Sequence, residues 1–205
     1  MPSRNVFYPP KPRPQFEEHF WVSSPAYAAA LRDQVLGQGN TPPMPMSTAS
    51  PSSIGLIQRK ENRCITNYPG LRDRLVATWP GVYIEEAYME GLSFRSQAAF
   101  FAKHDVIVAA HGAALTNAVF MRHGTIVLEC FPRNYHPVDY YPGLIRQSGG
   151  IYVELHFGKQ PSEDFADHSR TFEERQFWRS KSFSIPLEES IALLKGALRL
   201  RSGKA

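Results

Sequence analysis

Two apolar patterns alternate along this chain, and each predicts a different element. Residues 106–110 (VIVAA) and 125–130 (TIVLEC) are short, nearly unbroken apolar runs with β-branched residues, which suit strands covered on both faces. Residues 54–57, 82–86 and 151–155 supply three further strands. Between them, apolar positions recur every three or four residues, the period of a helix with one buried side. Tyr27, Leu31 and Val35 share a face of a first helix, with Ser24 as cap, Pro25 at its first position and Gly37 at its end. Asn67 and Pro69 open a second, striped by Leu71, Leu75 and Trp79 until Pro80 and Gly81 break it. Ser93 caps a third, with Phe94, Ala98 and Phe101 or Ala102 turned inward. Residues 113–121 hold no breaker and read as a fourth, closed by Gly124, and residues 142–147 as a poorly marked fifth. A last helix starts at Pro186, with Leu187, Ile191, Leu194 and Leu198 as its buried stripe. Its acidic residues Glu188 and Glu189 come early and Lys195, Arg199 and Arg201 late, the order the helix dipole favours.

The alternation predicts an α/β fold, a Rossmann-like, mostly parallel sheet of about five strands with flanking helices, because short links between parallel strands run as right-handed crossovers. Residues 21–205 are expected to form this one domain. Residues 1–20, with Pro2, Pro9, Pro10, Pro12 and Pro14, read as an extended arm. Residues 38–53 (QGNTPPMPMSTASPSS) read as a flexible insertion, and residues 156–183, charged and without a period, as a surface loop.

Composition narrows the choice. A hydrophobic content of 42% and a charged content of 20% over 205 residues set the chain among ordinary globular proteins. No apolar run approaches the roughly 20 residues that cross a bilayer, and the Pro-rich start is unlike a signal peptide. The net charge of +4 favours anionic ligands. With no block of basic residues interleaved with aromatics, nucleic acid is not expected as a partner. Cys64 and Cys130 can form one disulfide, although the apolar strand around Cys130 suits a buried free thiol.

The segment 105–132 is a strand-turn-helix-strand unit, which sets the first free N–H groups of a helix at the carboxyl edge of a parallel sheet. The N–H groups of Gly112, Ala113 and Ala114 can meet an anion there, or the turn can simply be tight. Arg59 and Arg63 follow a strand end on the same edge. Four-residue spacing puts both on one side of a helical turn, fit for two-pronged phosphate contacts, or leaves both as solvated surface groups. His111, where strand becomes turn, can donate to an oxygen, move a proton or brace the loop. Glu129 interrupts an apolar strand, so it must reach the sheet edge or find a basic partner. Asn117 lies one turn into the helix and is suited to holding that turn together. Tyr135, Tyr140 and Tyr141 with His136 can stack a base or pack as a loop. No D-x-D triplet and no zinc-type spacing of His and Cys occurs.

The run HGAALTNAVFM at 111–121, with a following Gly, an apolar strand and Glu129, resembles glycosyltransferase family 61. The likeness runs back through Ile57, Gln58, Arg59, Arg63 and Asn67, and forward through residues 151–155. Ala114 stands where the family usually has Gly, and His123 where it has Pro. The resemblance implies the carboxyl-terminal, donor-binding half of an inverting GT-B transferase that takes a UDP-sugar and a protein or polysaccharide hydroxyl. In that reading Arg59, Arg63, His111, Gly112, Ala113, Ala114 and Glu129 bind the donor, Glu129 through ribose hydroxyls. No cofactor beyond the donor substrate is expected, the missing D-x-D triplet leaves a metal-dependent diphosphate site unsupported, and the resemblance places the protein in the Golgi or endoplasmic reticulum lumen. An amino-terminal acceptor domain is then expected outside these 205 residues. The rival reading is a nucleotide- or phosphate-binding module without transfer.

Overall fold

A computed structural model describes residues 24–37, 50–135, 137, 140–155 and 171–203. The expected arm, most of the insertion, His136 and residues 156–170 lie outside the described residues. In chain order the elements are α1 (Pro25–Leu36), β1 (Ser53–Gln58), α2 (Tyr68–Thr78), β2 (Tyr83–Tyr88), α3 (Phe94–Lys103) and β3 (Val106–Ala110). A 3-10 helix (Ala113–Phe120), β4 (Ile126–Cys130), α4 (Pro142–Gln147), β5 (Ile151–Leu155), α5 (Phe172–Arg179) and α6 (Leu187–Arg201) follow.

The five strands form one sheet in the order β2-β1-β3-β4-β5, with every neighbouring pair parallel. The fold is the expected Rossmann-like α/β architecture. Winding reverses between β1 and β3, and open α/β sheets take ligands at such a reversal, beyond the carboxyl ends of the strands. Alternate residues of each strand serve opposite faces. Leu56, Val108 and Leu128 pack under α2 and α6, whereas Ile57, Ile107 and Val127 pack under α3, the 3-10 helix and α4. Gly55 allows the second layer to come close, because a Cβ there would lie 2.7 Å from the Phe100 ring. Helix α1 forms an outer layer, joining α3 and the 3-10 helix through Ala28, Leu36, Ala98 and Phe120.

Several expectations need correction. The stretch after Gly112 is a 3-10 helix. Thr116 Oγ1 donates to Ala113 O at 2.7 Å and Asn117 Nδ2 to Ala114 O at 3.1 Å, three residues back in each case, and this side-chain bonding competes with a regular α-helical ladder. Gly124 serves the next turn, at φ 82°, its N–H donating to Gly149 O at 2.7 Å. Within the predicted loop 156–183, residues 172–179 form α5, nucleated by a reciprocal capping box between Thr171 and Glu174. The predicted insertion ends early. Ser52 donates from its N–H and its hydroxyl to the buried Asp105 carboxylate, at 2.7 and 2.6 Å, and Ser53 already belongs to β1. Tyr27 and Phe94 are 57% and 59% exposed, so α1 and α3 turn their alanines to each other instead. Both cysteines are free, and burial pushes the Cys130 thiol up.

The connection following α5 is strapped across the loop between β1 and α2. Phe183 bonds both Cys64 O and Thr66 N, at 2.9 and 2.8 Å. The Asn67 amide takes both backbone groups of Ile185, donating to O at 2.7 Å and accepting from N–H at 2.9 Å. Asn67→Ala should therefore lower stability by about 1 to 3 kcal/mol by leaving buried backbone groups unpaired. Urea denaturation measures it, and an unchanged midpoint would show that the strap does not depend on this side chain.

Candidate functional site

The site grows from the carboxyl ends of β1 and β3. Beyond Gln58 the chain folds back at once, because Arg59 Nε donates to Asn62 O at 2.8 Å and its Nη2 to Asn62 Oδ1 at 3.3 Å. That turn puts Arg63 in the left-handed region at φ 54°, a conformation costing about 1 kcal/mol for a residue with a Cβ. Across from it, β3 ends at Ala110 and His111 and Gly112 follow. The two arginines meet above Gly112. A Cβ at that position would collide with Arg59 Nη1 and lie 3.7 Å from Arg63 Nη2. Glycine is required here for close approach, since its extended backbone suits any residue.

Arg63 is only 4% exposed. Its Nη1 makes a long bond of 3.4 Å to the Arg179 carbonyl, and its Nε has no hydrogen-bond partner among the described residues. No carboxylate there lies within ion-pair distance of it. Burial, followed by the charges of Arg59 and Arg179, brings it down to about 10, so it stays charged at neutral pH. The N–H groups of Gly112, Ala113 and Ala114 also have no protein acceptor among the described residues. A desolvated cation, a second cation beside it and three free donors are a set that an anion would complete.

Behind this edge the period-two alternation of the sheet sends His111, Glu129 and Tyr152 to the same face. His111 Nδ1 and Glu129 Oε1 are 2.6 Å apart, and the Tyr152 hydroxyl donates to Glu129 Oε2 at 2.8 Å. Glu129 is 1% exposed and has the basic partner that burial demands. With a protein donor on each oxygen, it is enclosed within the sheet rather than presented at its edge. Tyr152 itself is half-buried, with its hydroxyl turned in towards Glu129. Burial and the Glu129 charge push its phenol well up and that of Tyr141 up to about 12, so both remain protonated. Phe131, Tyr135, Tyr140 and Tyr141 ring the imidazole, their centroids 5.1 to 5.7 Å away. Of these Tyr140 is 57% exposed, at the open side of the cluster.

The structure thus gathers Arg59, Arg63, Gly112, Ala113 and Ala114 at the edge, with His111 and Glu129 immediately behind. Asn117 bonds Gln97 and the first turn of the 3-10 helix, so it braces that turn as expected. Asn62, Tyr152 and Arg179 were not anticipated. Asn62 was legible only as a turn residue, and Tyr152 only as one position in a strand. Among the described residues no helix is long and apolar enough to cross a membrane, and no three His, Cys, Asp or Glu side chains converge as for a metal ion. If Arg63 is held at a cost in stability, Arg63→Met should stabilise the ligand-free protein by about 1 kcal/mol, by removing a desolvated charge repelled by its neighbours. Urea denaturation at low salt reads the sign, and a loss of stability would mean that the guanidinium is structurally paired.

A search of curated proteins found no match. The sequence profile of Glycosyltransferase 61 matches residues 5–128, a span containing Arg59, Arg63 and the 111–114 turn and stopping one residue before Glu129. It takes in more than half of the chain, including β1 to β3, and the protein belongs to glycosyltransferase family 61, a family of sugar-transferring enzymes.

Proposed function

We propose that this chain is the donor-binding half of an inverting GT-B transferase, using a UDP-sugar and delivering the sugar to a hydroxyl of a protein or polysaccharide. One observation supports it above the others: two guanidinium groups meet over Gly112 at the winding reversal of the sheet, and the buried one lacks a carboxylate among the described residues. In direct displacement the acceptor oxygen bonds the anomeric carbon as the bond to the diphosphate oxygen breaks. The electron pair leaves on the β-phosphate. Cations and N–H groups already fixed where that charge develops lower the barrier without having to reorganise. Arg59, Arg63 and the 112–114 N–H groups fill this role, and Arg179 adds a third positive charge from the end of α5. Glu129 contributes through His111, and Tyr140 offers an exposed ring beside the site for a base to stack on. The base for the acceptor hydroxyl belongs to the acceptor side, supplied by a further domain or partner. Activity in the endoplasmic reticulum or Golgi lumen follows from the same reading.

Calorimetric titration with UDP and UDP-sugars, followed by an assay for released UDP with the acceptor side present, tests the proposal. Binding with turnover supports the transferase, binding without turnover supports a nucleotide-binding module, and no binding removes both. Arg63→Ala should weaken UDP by about 1.5 to 3 kcal/mol, the range for hydrogen bonds to charged groups. Arg179→Ala, at an exposed position, should cost less than about 1 kcal/mol. Unchanged affinity in Arg63→Ala would take that residue out of the site.

A further inference from the structure

The arrangement behind the anion edge has a chemistry of its own. A carboxylate with two donors aimed at it accepts at both oxygens, so the 2.6 Å contact between Glu129 and His111 puts the proton on Nδ1. The Tyr152 hydroxyl, 2.8 Å from the other oxygen, keeps Glu129 from turning away. Stacking on Phe131 and edge contacts from Tyr135 and Tyr140 hold the ring plane. The remaining nitrogen, Nε2, has no partner among the described residues. His111 directly precedes Gly112, the point where Arg59 and Arg63 converge.

We infer that Glu129 and Tyr152 are positioning residues that fix His111 as the Nδ1–H tautomer, so that Nε2 takes up a proton and donates it as a hydrogen bond when a nucleoside diphosphate binds. This deepens the donor-site reading and rests on it. The groups facing the imidazole act in opposite directions. Glu129 on β4 favours a second proton, and the guanidinium groups of Arg59 and Arg63 oppose it. Tyr135, Tyr140, Tyr141 and Tyr152 also surround the pair of His111 and Glu129, and burial keeps the phenols of Tyr141 and Tyr152 protonated. An arriving diphosphate offsets the arginine charges, and the balance tips towards the imidazolium. The proton comes from solvent, and Nε2–H then points at a phosphate oxygen, a charge-assisted bond that neutral imidazole in this tautomer cannot make.

The test is the nitrogen-15 spectrum of the His111 ring in the full chain near neutral pH, assigned by its loss in His111→Gln, with and without saturating UDP. The free protein should show Nδ1–H alone, and the UDP complex both nitrogens protonated. Glu129→Met alone leaves Tyr152 and His111 without an acceptor and can fail to fold. The double variant Glu129→Met with Tyr152→Phe makes both positions apolar at similar volume and keeps the test decisive. It should mix the two tautomers, show no second proton with UDP, and bind UDP about tenfold more weakly at a similar unfolding midpoint. An Nε2–H tautomer in the free wild type, a ring unchanged on UDP binding, or a double variant that binds UDP as wild type does would each overturn the inference while leaving the donor reading standing. A wild type that binds no UDP overturns the donor reading and the inference with it.

Discussion

A buried positive charge with a second, half-buried one pressed against it, and no carboxylate at hand among the described residues, is the feature around which this domain is arranged. Arg63 would lie lower in free energy at the surface, yet the structure holds it 4% exposed on a left-handed backbone beside Arg59. What holds it there is local and polar. Asn62 fixes Arg59, Asn67 and Phe183 clasp the loop from the far side, and Gly112 leaves room for the guanidinium groups to meet. A folding domain without a ligand has no reason to retain such a cluster, whereas one that binds a diphosphate has its counter-charges in place before the ligand arrives.

The sheet supplies the geometry. Parallel pairing of β1 with β3 brings the two strand ends side by side at the reversal of winding, where the chain leaves β1 for α2 on one face and β3 for the 3-10 helix on the other. On the other side of β3, register decides which side chains meet. Ala109 pairs with Glu129 and Val127 with Tyr152, so His111 and Tyr152 flank Glu129 diagonally on one face. A one-residue slip in β4 would turn Glu129 into the layer beneath α6 and leave it buried without these donors.

The strands and the anion turn were legible because they rest on local signals. The apolar run that stops at His111 and Gly112, and the strand pattern that starts after Gly149 and Gly150, matched β3 and β5 end for end, and the HGAAL run marked the turn. Legibility failed where tertiary bonds decide. The segment after Gly112 has helical composition, but back-bonding by Thr116 and Asn117 favours the 3-10 form. Helix α5 has no buried residue and therefore no apolar stripe to read, and only its capping box betrays it. Tyr27 and Phe94 fit the helical period and still face outward, because small alanines make the tighter contact between α1 and α3. Glu129 was recognised as a residue needing a partner, but the choice between ligand and protein depended on a strand register that no sequence period states.

A crystal structure of the chain with UDP tests the account most directly. The diphosphate should lie between the Arg59 and Arg63 guanidinium groups, its oxygens accepting from the N–H groups of Gly112, Ala113 and Ala114. UDP bound elsewhere on the domain, with Arg63 still lacking an anionic partner, would contradict it.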